Sequence, residues 1–324
     1  MMEKQAPQMA YNSEQFEPQD PKAPQGFLRQ VLAKGQNFGF SKANASIATS
    51  LAKETKPSSM KTFERNRDKT MYWNEKTLTC ETLSNWSQFY LFIAGMAKTV
   101  MLFFLPLAYI LLLVGVIFGE GGWETRAYMF YDFTLFGLLP CLLIYGHFKL
   151  VDRGYLFLAP FLKSKILFEL NRQTGMVTLF KKGNRKRFEH PFIEFDCVLI
   201  SAPSPQGHLN YNLVLIHRYH EYSVGVPLHN FVGTNQTVSE YHRLWNMIQR
   251  YMDVSQPMPD IMILEPAREK DPTTVAYDKS THRDPRYWRD MTDEQFEKEM
   301  KQLEEKQRSQ PATGPELNIF AEAT

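Results

Sequence analysis

An uninterrupted apolar run from Thr99 to Phe118 limits the architectures open to this chain. It reads TVMLFFLPLAYILLLVGVIF and contains no charged side chain. Twenty residues of α-helix rise about 30 Å, which matches the hydrocarbon core of a bilayer. A helix of a soluble domain is rarely apolar on every face over that length, because one face normally meets water. The run therefore predicts a membrane-spanning helix.

A second, weaker apolar segment follows from Tyr128 to Phe148, with Asp132 near its start and His147 near its end. Both polar residues lie near the expected membrane interfaces. An ionisable side chain is less costly there than at the bilayer centre. This segment is a second candidate span, and the alternative is a helix that lies in the membrane interface.

The connection between the two segments, GEGGWETRA, is too short for a domain. The sequence therefore predicts a two-helix transmembrane hairpin within residues 88–150, with spans at about 97–118 and 128–148. Pro106 and Pro140 lie inside these spans and predict kinks, because proline cannot donate the helical hydrogen bond.

Charge gives the expected orientation of the hairpin. The connecting turn carries Arg126 against Glu120 and Glu124. The flanks of the two spans are rich in cations, namely Lys61, Arg65, Arg67, Lys69, Lys76, Lys98, Lys149, Arg153, Lys163 and Lys165. By the positive-inside rule, both flanks and both termini are expected in the cytoplasm, and the protein is expected to be multi-pass.

The N-terminal region, residues 1–80, is expected to be cytoplasmic and largely disordered, with short helices. Its first part is rich in Gln, Pro and acidic residues, a composition that disfavours a packed core. The whole chain of 324 residues has a formal net charge of +2, which excludes a globally basic nucleic-acid binder. The three cysteines, Cys80, Cys141 and Cys197, are far apart and are expected to be buried free thiols.

Residues 155–253 are predicted to form an antiparallel β domain. Short apolar runs separated by turn residues indicate strands at Ile166–Leu170, Met176–Phe180, Phe192–Ile200, Tyr211–Ile216 and Tyr222–Val226. A capping box, Thr237 to Glu240, begins an amphipathic helix that runs to Met252. Several strands followed by one helix suggest a pleckstrin-homology-like (PH-like) domain closed by a C-terminal helix. The predicted fold class is thus an α+β membrane protein.

The hairpin, an R-x-x-G-x-V turn (Arg172, Gly175 and Val177) and the helix from Glu240 to Met252 together resemble bacterial membrane proteins with PH-like domains. More narrowly, the chain from about Lys61 to Asp253 is similar to an uncharacterised bacterial domain family often encoded beside type VI secretion genes. The resemblance implies an inner-membrane accessory role around secreted toxins: immunity, loading or anchoring. It brings no catalytic residues.

Residues 254–324 are predicted to form a linker, a charged helix and a tail. Thr292 and Gln295 form a capping box for a helix to about Gln307, whose narrow apolar stripe is Phe296, Met300 and Leu303. We expect this stripe to pack against the parent domain, and the alternative is that it binds a partner.

The candidate binding site is a basic turn between two strands. Its cations are Lys181, Lys182, Arg185, Lys186 and Arg187. On a domain attached to a membrane, each cation near an anionic leaflet gains about 1 kcal/mol. The turn could bind membrane lipid or an acidic protein partner, and the alternative is a solvated hairpin tip. Nucleic acid is not expected, because no aromatic side chains interleave the cations.

We expect no metal and no cofactor. If the strand continues through His217 and His220, their odd spacing places them on opposite faces of the sheet. HExxH, CxxC, GxSxG, GxxxxGK[ST] and GxGxxG motifs are all absent. The sequence therefore favours a non-enzymatic inner-membrane accessory protein with a cytoplasmic, protein-binding domain. The alternatives are a sensor of anionic lipid and a membrane enzyme of unknown type.

Overall fold

The computed structural model describes residues 10–21, 35–60, 73–118, 122–153, 164–204 and 207–321. The chain divides into two compact units: Met1–Cys80 with Ile166–Thr324, and Glu81–Lys165. The first unit contains nearly all of two four-stranded sheets, and the second contains two long apolar helices. The protein is therefore α+β.

The strands are β1 Gln36–Phe38, β2 Thr77–Leu83, β3 Ser164–Asn171, β4 Met176–Lys181, β5 Arg185–Pro191, β6 Phe195–Pro203, β7 Leu209–His217 and β8 Val226–Pro227. The α-helices are α1 Thr49–Ala52, α2 Asn85–Thr99, α3 Leu105–Phe118, α4 Trp123–Phe133, α5 Leu139–Asp152, α6 Val238–Met252, α7 Glu265–Arg268, α8 Pro272–Thr281 and α9 Asp293–Arg308. Two π-helical segments, Val100–Phe104 and Thr134–Leu138, join α2 to α3 and α4 to α5.

The strand orders are β1-β6-β7-β8 in one sheet and β2-β3-β4-β5 in the other. The predicted hairpin between β3 and β4 is confirmed: the two strands pair antiparallel, and Gly175 takes a φ of +68° in the turn. Phe168 and Leu170 are fully buried, while Glu169 between them is half-buried. This alternation is the two-residue period of a strand with one face on the core.

Helix α6 is buried on almost every face. The Thr237 hydroxyl accepts from the Glu240 N–H, as predicted for its N-cap. The Glu240 carboxylate, however, accepts from the backbone N–H and the hydroxyl of Ser50, both at 2.7 Å. Since Ser50 belongs to the N-terminal region, that region covers the face of α6 that the sequence pattern leaves polar.

The described parts of the N-terminal region differ from the largely disordered segment expected there. Phe38, Phe40, Ile47 and Trp73 are all at most 5% exposed and belong to the main core. The compact unit is accordingly larger than the predicted domain at 155–253, because its core draws on side chains from residues 11–80 as well. The remaining residues of 1–80 lie outside the described ranges.

The C-terminal region packs on the same core. Helix α9 begins with the predicted capping box, in which Thr292 and Gln295 exchange side chain–backbone hydrogen bonds. Phe296 and Met300 are buried, so the apolar stripe packs against its own unit. Further along, the Leu317 N–H donates to the Phe40 carbonyl, which ties the tail to the segment after β1.

The second unit contains two helices that could span a membrane by their length and composition. They are Asn85–Phe118, with 34 residues, and Trp123–Val151, with 29, and almost none of the residues in their apolar windows are buried. A π-helical segment ends two residues before each proline, Pro106 and Pro140. Because proline offers no N–H, one helical hydrogen bond is missing at each position, and the π-helical turn allows each helix to continue through its proline.

Polar contacts fix the register between these two helices. The Tyr90 hydroxyl lies 2.8 Å from His147 Nδ1, and the hydroxyls of Tyr109 and Thr134 lie 2.6 Å apart. The first helix therefore already faces its partner at Tyr90, before the predicted start of the span at residue 97. A 34-residue helix is about 51 Å long, which exceeds the hydrocarbon thickness of a bilayer.

Candidate functional site

The predicted basic residues lie at the exposed tip of the hairpin formed by β4 and β5. The strands pair from Met176 with Pro191 to Lys181 with Arg185, with an irregularity between Leu179 and Phe180. The turn is closed by Gly183 and Asn184 at φ values of +80° and +54°, the left-handed conformation that these two residue types adopt most easily. All five cations are exposed.

The structure separates these five cations into two groups. Lys186 Nζ donates to both carboxylate oxygens of Glu189 at 2.7 Å, which lowers the pKa of that carboxyl. Arg187 Nη2 donates to Ser223 Oγ at 2.9 Å. Lys181, Lys182 and Arg185 have no acidic partner among the described residues. We call these three residues the hairpin tip.

The segment after β7 lies along β5, which is the edge strand of its sheet. The rings of Phe188 and Tyr222 stack with centroids 4.4 Å apart, and Arg187 reaches Ser223 as described above. An uncovered edge strand presents unpaired backbone groups, so this covering segment protects it. Of the predicted strand at Tyr222–Val226, only Val226 is in a strand, the two-residue β8.

This covering segment brings three histidines together, contrary to the prediction for His217 and His220. Strand β7 ends at His217 and the chain turns, so the alternation of strand faces no longer applies. His217 Nδ1 accepts from the backbone N–H groups of Tyr219 at 3.1 Å and His220 at 2.9 Å. One nitrogen from each of His190, His217 and His220 lies within 4.8 Å of the other two.

A carboxylate and a phenol complete this group, which we call the histidine cluster: His190, His217, His220, Glu194 and Tyr222. Glu194 Oε2 lies 2.9 Å from His217 Nε2 and 3.8 Å from His190 Nδ1. The Tyr222 hydroxyl lies 2.7 Å from His190 Nε2. The cluster joins β5, the short 3₁₀ turn Phe192–Glu194 and the segment after β7.

Burial favours the neutral form of His190. Its pKa is lowered to about 4, chiefly by burial and then by nearby His217, while Glu194 opposes the shift. A neutral imidazole retains a lone pair that accepts a hydrogen bond or binds a metal ion. Sequence reasoning missed His190 and Glu194, although their spacing of four residues, considered together with the separate HxxH pair at His217 and His220, was a usable signal.

Comparisons with protein-family models, with curated proteins and with solved structures give no match for this chain. The class of the protein follows from its own structure: an α+β protein with two antiparallel sheets and two long apolar helices that could span a membrane.

Proposed function

We propose that this chain is a non-enzymatic, membrane-anchored accessory protein whose soluble unit binds an acidic protein partner through the hairpin tip. The observation that supports this most directly is a set of three cations at the end of an exposed hairpin, none of which has an acidic partner in the part of the chain that the structure describes. In the rest of the hairpin, Lys186 and Arg187 already have partners.

A rigid support makes the hairpin tip suitable for recognition. Phe188 is buried at the base of the hairpin, and Thr178 Oγ1 donates to Glu189 Oε1 at 2.9 Å across the strand pair. The cations therefore have a fixed backbone, so binding orders little beyond the side chains themselves. Charge complementarity with an acidic surface would raise the association rate and help to select the partner.

Two long apolar helices support anchoring in a membrane. We propose the bacterial inner membrane, with both termini in the cytoplasm, on the charge of the flanks. The PH-like fold and the closing role of α6 are proposals too, and the burial of α6 against the core supports them. The type VI secretion setting, as immunity or effector handling, rests on the sequence resemblance alone.

Anionic lipid headgroups are a second candidate ligand for the hairpin tip. The specific support is that the tip shares its chain with two candidate spans, which would hold the soluble unit near a bilayer. Three cations near an anionic leaflet would contribute about 3 kcal/mol, and salt would screen that attraction.

The test compares two triple variants of the full-length protein in native membranes. One reverses the tip charges with Lys181→Glu, Lys182→Glu and Arg185→Glu. The control reverses three exposed cations elsewhere, with Lys279→Glu, Lys298→Glu and Lys306→Glu, and so makes the same change in net charge. Lysine-reactive crosslinking and mass spectrometry then identify the proteins joined to each chain and the residues that carry the link.

We expect Lys181 and Lys182 to crosslink to one acidic protein, such as a toxin or a secretion component. Because the tip variant has no amine at these two positions, its binding is judged from the remaining lysines: links from that protein to neighbouring lysines such as Lys186 should disappear in the tip variant and persist in the control. The lipid candidate predicts instead that the amides of residues 181–187 gain hydrogen-exchange protection in anionic nanodiscs over zwitterionic ones. If neither effect appears, or if the control variant behaves like the tip variant, the proposed binding role of the tip is wrong.

A further inference from the structure

We propose that His190, His220 and Glu194 form a binding site for a divalent transition-metal ion, with Zn²⁺ as the best match. The site does not include the hairpin tip. Its ligands come from β5, from the 3₁₀ turn that follows β5 and from the segment after β7. Two imidazoles and one carboxylate are a ligand set that suits zinc, whereas Mg²⁺ and Ca²⁺ prefer oxygen ligands alone.

His190 has the environment of a metal-binding histidine. Its Nδ1 faces Glu194 Oε2 at 3.8 Å, and its Nε2 lies 2.7 Å from the Tyr222 hydroxyl. With the ring proton on Nε2, that nitrogen donates to Tyr222 and leaves the Nδ1 lone pair for the ion. Metal-binding histidines commonly donate their second N–H to such a partner, which fixes the ring orientation.

His217 lies in the same cluster but positions a ligand rather than binding the ion. Its Nδ1 accepts from two backbone N–H groups, so the ring proton is on Nε2. Nε2 then donates to Glu194 Oε2 at 2.9 Å. If His217 bound a metal through Nε2, its ring proton would have to move to Nδ1. There the proton would face two backbone N–H donors and break both of their hydrogen bonds. His217 therefore orients the carboxylate of Glu194.

His220 completes the proposed site from the exposed side. Its ligand atom lies within 4.8 Å of those of His190 and His217. Ligand atoms around a tetrahedral zinc are about 3.3 Å apart, given Zn–N bonds of about 2.0 Å. Binding therefore requires His220 to move toward both His190 and Glu194, and it lies in an irregular, exposed turn rather than in a strand. A water molecule would occupy the fourth position.

The proposed ion would link the covering segment, which follows β7, to strand β5. His220 belongs to that segment, His190 to β5, and Glu194 to the 3₁₀ turn after β5. An ion that binds only the folded state stabilises it in proportion to the logarithm of its concentration over Kd. Metal binding should therefore raise the unfolding midpoint of the full-length protein.

The test titrates Zn²⁺ by calorimetry, and Co²⁺ by visible absorption, into metal-free, full-length protein in detergent after removal of any histidine tag. We expect one ion per chain and the intense visible bands of four-coordinate Co²⁺. His220→Ala and Glu194→Gln should each weaken Zn²⁺ binding by about 100-fold, and Tyr222→Phe by about 10-fold. His208→Ala removes an exposed histidine outside the cluster and should bind as the wild type does.

Two features keep the outcome interpretable. His220 is exposed and Gln is isosteric with Glu, so both variants should fold, and their metal-free unfolding midpoints check this. The proposal is overturned if the wild-type protein binds neither ion stoichiometrically. It is equally overturned if His220→Ala or Glu194→Gln binds Zn²⁺ as the wild type does.

Discussion

Arg172 and Asp271, 99 residues apart in sequence, form a buried, bidentate ion pair: Nε donates to Oδ1 at 3.0 Å and Nη2 to Oδ2 at 3.1 Å. Arg172 is 1% exposed, and its Nη1 also donates to the carbonyls of Tyr251 and Asp253 at the end of α6. The arginine of the R-x-x-G-x-V turn thus joins the β3–β4 hairpin, the end of α6 and the start of α8.

Arg172→Met should destabilise the first unit by about 3 to 5 kcal/mol. Removing one partner of a buried ion pair leaves the carboxylate of Asp271 uncompensated, and this cost exceeds the net value of the pair. Urea unfolding of the full-length protein in detergent, followed by tryptophan fluorescence, measures the loss.

The matched control is Arg286→Met, which breaks an ion pair with Asp290 whose side chains are 52% and 60% exposed. Exposed pairs contribute at most about 1 kcal/mol. Equal losses for the two variants would contradict the structural role given to Arg172.

Asn246→Ala should release the N-terminal segment from α6. The Asn246 amide accepts from the Asn44 N–H at 3.0 Å and donates to the Ser46 carbonyl at 2.9 Å. Truncation leaves those backbone groups without partners, at a cost of about 1 to 3 kcal/mol. Trypsin should then cleave after Lys42 or Lys53 sooner than in the wild-type protein.

Asn235→Ala, at an exposed position before the same helix, is the control and should not change the cleavage rate. If cleavage after Lys42 and Lys53 is equally fast in the wild-type protein and in Asn246→Ala, the amide does not hold the segment.

The sequence predicted the elements that depend on local signals and missed those that depend on distant contacts. The β3–β4 turn at Gly175, the N-cap at Thr237 and the box at Thr292 are local patterns, and all three are present. The order of the N-terminal segment was missed, because it depends on polar side chains of α6 such as Asn246 and Gln249. On a helical wheel these residues face water, and only the folded chain shows that Asn44 and Ser41 cover them.

The candidate site divides in the same way. The basic turn was predicted because its cations are adjacent in sequence. The histidine cluster was missed because His190 and His220 meet only where β7 ends early and the chain folds back on β5. The sequence analysis assumed that β7 continues three residues further, from His217 to His220. In a continuous strand, residues three apart lie on opposite faces of the sheet, so the two histidines were expected to point away from each other.

His229 should make the stability of the first unit depend on pH. Burial lowers its pKa below the ordinary 6.5, while its hydrogen bond to the Leu213 carbonyl opposes this. The unfolded chain then binds more protons than the folded one just below pH 6.5. The free energy of unfolding therefore falls as the pH drops through this range, by about 1.4 kcal/mol for each unit of depression.

The measurement compares wild-type protein and His229→Gln by urea unfolding at about pH 7.5 and about pH 5, in a metal-free buffer. The variant should show the shallower pH dependence, since carboxylate contributions are common to both proteins. Parallel pH profiles would exclude His229 as a source of the dependence.

Single cysteines should report the proposed orientation in the membrane. Glu124→Cys places a thiol in the exposed start of α4, next to the turn between the apolar helices, and Lys306→Cys places one on the exposed face of α9. If both flanks are cytoplasmic, an impermeant maleimide added to intact cells labels the first thiol, and labels the second only after permeabilisation. Background should be low, because Cys80 and Cys197 are buried and Cys141 lies within an apolar helix. Labelling of both cysteines in intact cells would refute the hairpin topology, since it would place the turn and α9 on the same, outer side.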